Sequence, residues 1–327
     1  MIRQDLRRKG LGRWWFGVYW DPSKPWGYGL RPALRFIAGT WAMKRSARAL
    51  QPVPMTDAAP LLAATFMTGA QYWHQTVFCA HSLATACEGR VTLRIFDDGT
   101  LKPAEAACLR QALPQATLIG ADEVRQALER ELPRARFPLL RQTRDRMPML
   151  RKFVDLRISS RAWQLYLDSD MLFFQRPDFL IACERQRTSC YMVDVANGYI
   201  LPPEELNRLA GCLVPLNANA GVVSLRDDEI DWDEIEDWCR QLPTDLREHR
   251  LFEQTITSIL LARAAAQPAP PADYAMVATP DGLRPPDATL AHYIIRGKYP
   301  YLTREWRGYR AGLKACSHSS RSADAKP

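Results

Sequence analysis

From about residue 57 onward the chain alternates short apolar runs with segments of helical periodicity, and few architectures accept that pattern. Leu61 to Met67 suits a buried strand, and Trp73, Val77, Ala80, Ala84 and Cys87 then recur at helical spacing. Val91 to Phe96 is β-rich and ends on the turn Asp97-Asp98-Gly99. A helix is predicted from Pro103 to about Leu113, a strand at Ala116–Ile119 and a helix from about Asp122 to Leu132. Residues 133–147 are rich in Arg and Pro and carry no pattern, so a loop is expected there. A helix from about Met149 to Ile158 then leads into the strand 162–167, which ends on Asp168-Ser169-Asp170. The order β-α-β-α-β-α-α-β predicts an α/β fold with a mostly parallel central sheet and flanking helices. Ligands in such a fold meet the carboxyl ends of the strands.

The remainder is less regular. Strands are expected at Cys190–Asp194 and Gly221–Leu225, helices near Asp231–Gln241 and Leu251–Ala265, and a linker at Gln267–Ala272. The segments divide the chain into an N-terminal arm (1–56), a single catalytic domain (57–309) and a polar, Ser-rich tail (310–327) expected to be disordered. The formal net charge of +8 resembles a nucleic-acid signal until it is located. Residues 1–50 hold 11 Lys/Arg against 2 Asp/Glu, which leaves 33 against 34 for the rest, so no nucleic-acid face is expected on the domain. The arm also holds Trp14, Trp15, Trp20, Trp26 and Trp41 among its arginines. Indole rings with cations suit an anionic membrane surface, and packing of the arm on the protein's own domain is the alternative. With no signal-peptide pattern and no apolar run of the roughly 20 residues a bilayer requires, a cytoplasmic protein is expected, peripheral on the membrane if the arm binds it. The eight cysteines are scattered without metal-ligand spacing and read as reduced core residues.

Residues two apart in extended backbone point to the same side, so the Asp168 and Asp170 carboxylates can converge on one ion just past their strand. Two hard oxygen donors favour Mg²⁺ or Mn²⁺, which complete their coordination with water and phosphate oxygens. A nucleotide diphosphate supplies such oxygens.

Lys152, then Leu165-Tyr166-Leu167-Asp168-Ser169-Asp170, then Asn219-Ala220-Gly221-Val222, Glu253-Gln254, His292 and Gly297-Lys298 follow one another along the chain. In that order they resemble the landmarks of GT-A glycosyltransferases, closest to the family 8 type that uses UDP-sugars, over roughly residues 60–300. The resemblance implies a GT-A fold and a metal-dependent transfer of sugar from a nucleotide-diphosphate sugar, with retention. It implies that Asp168, Asp170 and His292 hold the metal, and that Arg151, Lys152 and Ser169 approach the donor. Asn219, Glu253 and Gln254 would line the sugar pocket, and Gly297-Lys298 would meet the diphosphate. Thr65, Thr68 and Asp97 sit at strand ends where the base would be met. The chain departs from the family in reading Glu-Gln where Asp-Gln is usual, and in the spacing from His292 to Gly297-Lys298. Other readings stay open for single residues. Asn219 suits a turn, Asp97-Asp98-Gly99 a plain turn, Glu253 and Gln254 solvated helix positions, and His292 a structural histidine.

Two rival functions share some of these features. A haloacid-dehalogenase-like phosphatase also uses a strand-end D-x-D, but near the domain start and in the form D-x-D-G-T. A non-enzymatic membrane- or nucleic-acid-binding protein would act through its basic arm.

Overall fold

Strand and helix alternate because each apolar run must be covered on both faces. In a computed structural model, residues 29–313 are described, apart from 55 and 159–161. The first half contains α1 (Leu30–Ala47), β1 (Leu62–Thr68), α2 (Trp73–Ala86), β2 (Val91–Asp97), α3 (Pro103–Ala112), β3 (Ala116–Ile119), α4 (Ala121–Glu131), α5 (Pro138–Arg146), α6 (Pro148–Arg157) and β4 (Trp163–Leu167). The second half adds β5 (Met171–Phe173), α7 (Asp178–Gln186), β6 (Cys190–Val193), α8 (Pro203–Ala210), β7 (Ala218–Arg226), α9 (Trp232–Gln241), α10 (Phe252–Arg263), β8 (Gln267–Pro268), β9 (Tyr274–Val277) and β10 (Leu290–Tyr293). Among the described residues a seven-stranded sheet runs β3-β2-β1-β4-β7-β6-β8, and a three-stranded sheet runs β5-β10-β9. The first four strands of the large sheet are parallel, and β7 is antiparallel to both its neighbours. This is the α/β architecture with a mostly parallel, mixed sheet and flanking helices that the segment order predicts.

Successive residues along the central strands enter opposite cores, as the period of two demands. Ile95 and Leu165 join the core that holds Val77, Phe78, Phe173, Tyr293 and Trp306. Their neighbours Phe96 and Tyr166 join the core of Leu128, Phe153, Trp238 and Ile256. Strands buried on both faces lose polar alternation, which is why they read as continuous apolar runs.

Three stretches differ from the sequence expectation. Residues 138–146 form α5 rather than a loop. Its Arg141 is buried and donates to the carbonyls of Leu128 and Leu132 at 3.1 and 2.7 Å, so a charged side chain occupies a position where the helical pattern would show an apolar one. Residues 267–268 within the expected linker pair with β6 as an edge strand, where a proline is tolerated. The helix over residues 306–313 continues past the expected start of the tail, and 314–327 lie outside the described residues.

Helix α1 falls within the segment read as an arm, and it packs against residues 301–305 and α2. Gly39 permits this approach: a Cβ there would overlap the Leu302 carbonyl and lie 3.2 Å from the Thr303 Cα. Gly39→Val is therefore expected to destabilise the protein by about 2 kcal/mol, the scale of overpacking against backbone. Gly308, in a helix but with nothing within 4 Å of its added Cβ, is the contrast. Gly308→Ala should leave the melting temperature unchanged or raise it. Thermal denaturation of both variants checks the pair, and equal melting temperatures would remove the docking role of Gly39.

Candidate active site

The cleft at the carboxyl ends of β1 and β4 is built by both sheets. Asp168 follows β4 directly, and its backbone N–H donates to Gly221 O on β7 at 2.8 Å. The three-residue strand β5 begins immediately after Asp170, and β10 pairs with it so that His292 lies opposite Met171. The N–H of Tyr293 then donates to Asp170 O at 2.9 Å, which fixes the histidine beside the aspartate. The small sheet thus carries His292 across 122 residues of sequence to the D-x-D.

His292 Nε2 lies 3.2 Å from Asp170 Oδ1 and 3.9 Å from Asp168 Oδ2. Asp168, Asp170 and His292 each offer a ligand atom, and these atoms all lie within 4.8 Å of one another. The His292 ring is only 2% exposed and its Nδ1 has no hydrogen-bond partner among the described residues. Its other nitrogen, Nε2, points at two carboxylates. The donor set of two carboxylates and one imidazole fits a divalent ion. Gly221 makes room for the His292 ring, because a Cβ there would overlap the imidazole and lie 2.7 Å from Asn219 Oδ1.

Two lysines frame the carboxylates. Lys152, from α6, donates to Asp168 Oδ1 at 2.8 Å and to Ala220 O at 3.4 Å. Lys298 Nζ lies 3.1 Å from Asp170 Oδ2. Burial works against ionisation of Asp170, but the Lys298 ammonium and His292 outweigh it and hold the carboxyl well below the usual range. Asp170 in turn raises Lys298 above the ordinary lysine value, against the effect of burial. Gly297 has a structural reason for being glycine: a Cβ would run into the Val277 carbonyl. Its close approach is to β9, not to the cleft.

The cleft measures about 230 Å³ and is lined by Thr68, Tyr72, Asp98, Arg151, Lys152, Ser169 and Lys298 together with the two aspartates. Ser169 and Thr76 share a hydrogen bond of 2.8 Å, and Thr76 and Thr68 one of 2.7 Å, so three hydroxyls link β1, α2 and the D-x-D. Arg151 donates to Asp98 O at 3.3 Å. Thr65 and Asp97, expected where the base is met, do not reach the lining. Thr65 is buried in β1 with Gln164 as its partner at 3.4 Å, and the Asp97 carboxylate accepts from the N–H groups of Gly99 and Leu101 in the turn. Asp98, the neighbour of Asp97, is the one that faces the cleft.

Asn219, Glu253 and Gln254 form a second cluster adjoining the first through Lys152. Strand β7 starts at Ala218, so Asn219 belongs to the strand and sits at a break in register between β6 and β7. Bulges of this kind re-aim side chains beside functional sites. The Asn219 amide donates to Asp194 Oδ2 at 2.8 Å and its carbonyl oxygen accepts from Gly221 N at 2.8 Å. Gln254 donates to the same Asp194 oxygen at 3.5 Å. Glu253 is buried, not solvated, with Oε1 3.9 Å from Lys152 Nζ. Burial pushes its carboxyl up, a shift that Lys152 only partly offsets. Asp194 is the residue that sequence reading passes over, since its only signal is an acidic side chain at the end of a predicted strand.

No family model matches the chain, and no curated protein matches it. Solved structures do. Mouse xyloside xylosyltransferase 1 in its apo form is 12% identical, with 71% of this chain and 96% of that one covered and a TM-score of 0.45. The galactosyltransferase LgtC, in complex with donor and acceptor sugar analogs, is 13% identical over 76% of this chain and 99% of its own, with a TM-score of 0.43. GlyE from Streptococcus pneumoniae TIGR4 is 13% identical over 80% and 64%, also at 0.43. With superpositions this loose, what the cleft does has to be read from its own side chains.

Proposed function

We propose that this chain is a metal-dependent glycosyltransferase that takes its sugar from a nucleotide-diphosphate sugar, a UDP-sugar by the family resemblance, and transfers it with retention to a glycan, lipid or protein acceptor. The convergence of Asp168, Asp170 and His292 beside Lys298 carries this reading. It is a site for a divalent ion with an adjoining cation, which is what a diphosphate requires. Mn²⁺ is the expected ion, because an imidazole suits it better than Mg²⁺, which prefers an all-oxygen shell. Once bound, the ion would act as a Lewis acid that neutralises charge on the departing nucleoside diphosphate.

The protein's own groups supply the rest. Lys298 and Arg151 line the cleft on two sides and give a diphosphate fixed positive charge. Lys152 holds Asp168 in place and ties it to Glu253, so the metal side and the sugar side of the site share one ammonium. Asn219, Gln254 and Asp194 present amide and carboxylate groups for sugar hydroxyls, with Gly198 leaving space against Gln254. Asp168 is paired with Lys152, and Asp170 with both Lys298 and His292.

Thermal melting with Mn²⁺ and UDP-, GDP- or CMP-sugars tests the reading, because a ligand of the native state at about 100 times its Kd adds ~2.7 kcal/mol. UDP-sugar with Mn²⁺ is expected to raise the melting temperature by about 4 °C or more, and EDTA should remove the rise. A donor shift insensitive to EDTA, or no shift with any donor, would overturn the proposal.

A further inference from the structure

Helix α1 is inverted relative to an ordinary surface helix. The face it turns to the domain is mostly small: Ala33, Gly39, Met43, Ser46 and Ala47 are buried, and Phe36 and Ala42 pack partly buried against the main core. Four other large apolar side chains point outward. Leu30, Leu34, Ile37 and Trp41 are 68, 55, 45 and 65% exposed. They recur at i, i+4, i+7 and i+11 and therefore form one continuous ridge along the helix. Arg31, Arg35 and Arg45 are exposed on the same helix, and the Arg45 guanidinium lies 5.9 Å from the centre of the Trp41 ring. The sequence has no Asp or Glu between Asp21 and Asp57 to offset these charges.

We infer that the outer face of α1 is a docking surface for an anionic lipid bilayer, with the helix lying in the plane of the interface. An apolar ridge flanked by arginines, with an indole near one end, is the arrangement that enters the headgroup region while its cations meet lipid phosphates. Charge selects this occupant over a second copy, since two such faces brought together would oppose Arg31, Arg35 and Arg45 to their own kind. Among the described residues no helix is long and apolar enough to cross a membrane, so the contact is superficial. The basic, Trp-containing residues 1–28 lead directly into α1 and add cations to the same end of the chain. The inference does not depend on what the aspartate cleft does.

The test uses the full chain and sedimentation with vesicles of phosphatidylcholine containing phosphatidylglycerol, against phosphatidylcholine alone. The wild type is expected to sediment with the anionic vesicles and to be released as salt rises and screens the arginines. Leu34→Glu/Ile37→Glu, both at exposed positions, should lower the partition coefficient by about tenfold or more, since each places a charge at apolar depth. Leu34→Ser/Ile37→Ser is the milder pair should the first fail to fold, and both should keep the wild-type melting temperature. Sedimentation of either folded variant equal to wild type would assign the binding to residues other than α1 and overturn the inference. So would a wild type that ignores both vesicles, or one that self-associates through a contact the variants lose.

Discussion

Asp170→Asn is expected to weaken Mn²⁺ binding by at least about 10²-fold, more than the loss of a second-shell partner typically does, and to abolish metal-dependent donor binding with it. The substitution keeps the side chain's shape but removes the charge that His292 and Lys298 both face, at 3.2 and 3.1 Å. Asp168→Asn should act in the same direction, because Asp168 supplies the second carboxylate and is already oriented by Lys152. Asp97→Asn is the internal control. That carboxylate is spent on the N–H groups of Gly99 and Leu101 in the turn, so its loss should leave metal affinity at the wild-type value. Titration of Mn²⁺ by calorimetry or electron paramagnetic resonance reads all three, with circular dichroism to establish that the fold is kept. Wild-type Mn²⁺ affinity in Asp170→Asn would remove the D-x-D from the metal site.

The part of the site legible in the sequence is the part made by one strand. The pair Asp168/Asp170 is visible because a buried strand ends on it, and the spacing of two fixes the common side. His292 is different in kind. Nothing local to Leu290–Tyr293 says that it meets Asp170, since the meeting depends on the pairing of β10 with the three-residue β5, a contact between distant segments. Only the resemblance to a known family placed it there. Asp194 had neither source, and it emerges only once Asn219 and Gln254 are seen to share its Oδ2.

The fold divides in the same way. The central strands β1 and β4 are buried on both faces and bounded by turns, so apolar runs mark them. Helix α1 escapes because its packing face is mostly small and four of its large apolar residues, Leu30, Leu34, Ile37 and Trp41, face outward, which blurs the periodicity a reader looks for. Helix α5 escapes because Arg141 is buried in place of an apolar residue, its guanidinium donating to the carbonyls of Leu128 and Leu132 and to Glu129. At Gly297 the structure shows a packing reason for glycine that nothing local in the sequence reveals: a Cβ would run into the Val277 carbonyl.

Lys298→Ala is expected to lower the rate constant of sugar transfer by about 10²-fold, the scale of losing one preorganised charge-stabilising donor. The ammonium is held at the aspartate pair rather than free in solvent, with Asp170 Oδ2 at 3.1 Å and the Tyr72 ring centre at 5.7 Å. Its position costs little to maintain during reaction, and phosphate oxygens gain charge as the glycosidic bond to the sugar breaks. Metal affinity should move the other way or not at all, because Lys298 competes with a dication for the Asp170 carboxylate. A lower rate with undiminished Mn²⁺ affinity therefore separates charge stabilisation at the diphosphate from a general collapse of the site. Lys298→Arg keeps the charge while changing its reach and should recover part of the rate. Transfer by Lys298→Ala within about threefold of wild type, well inside the tenfold that ~1.4 kcal/mol represents, would make Lys298 a counter-ion of Asp170 and nothing more.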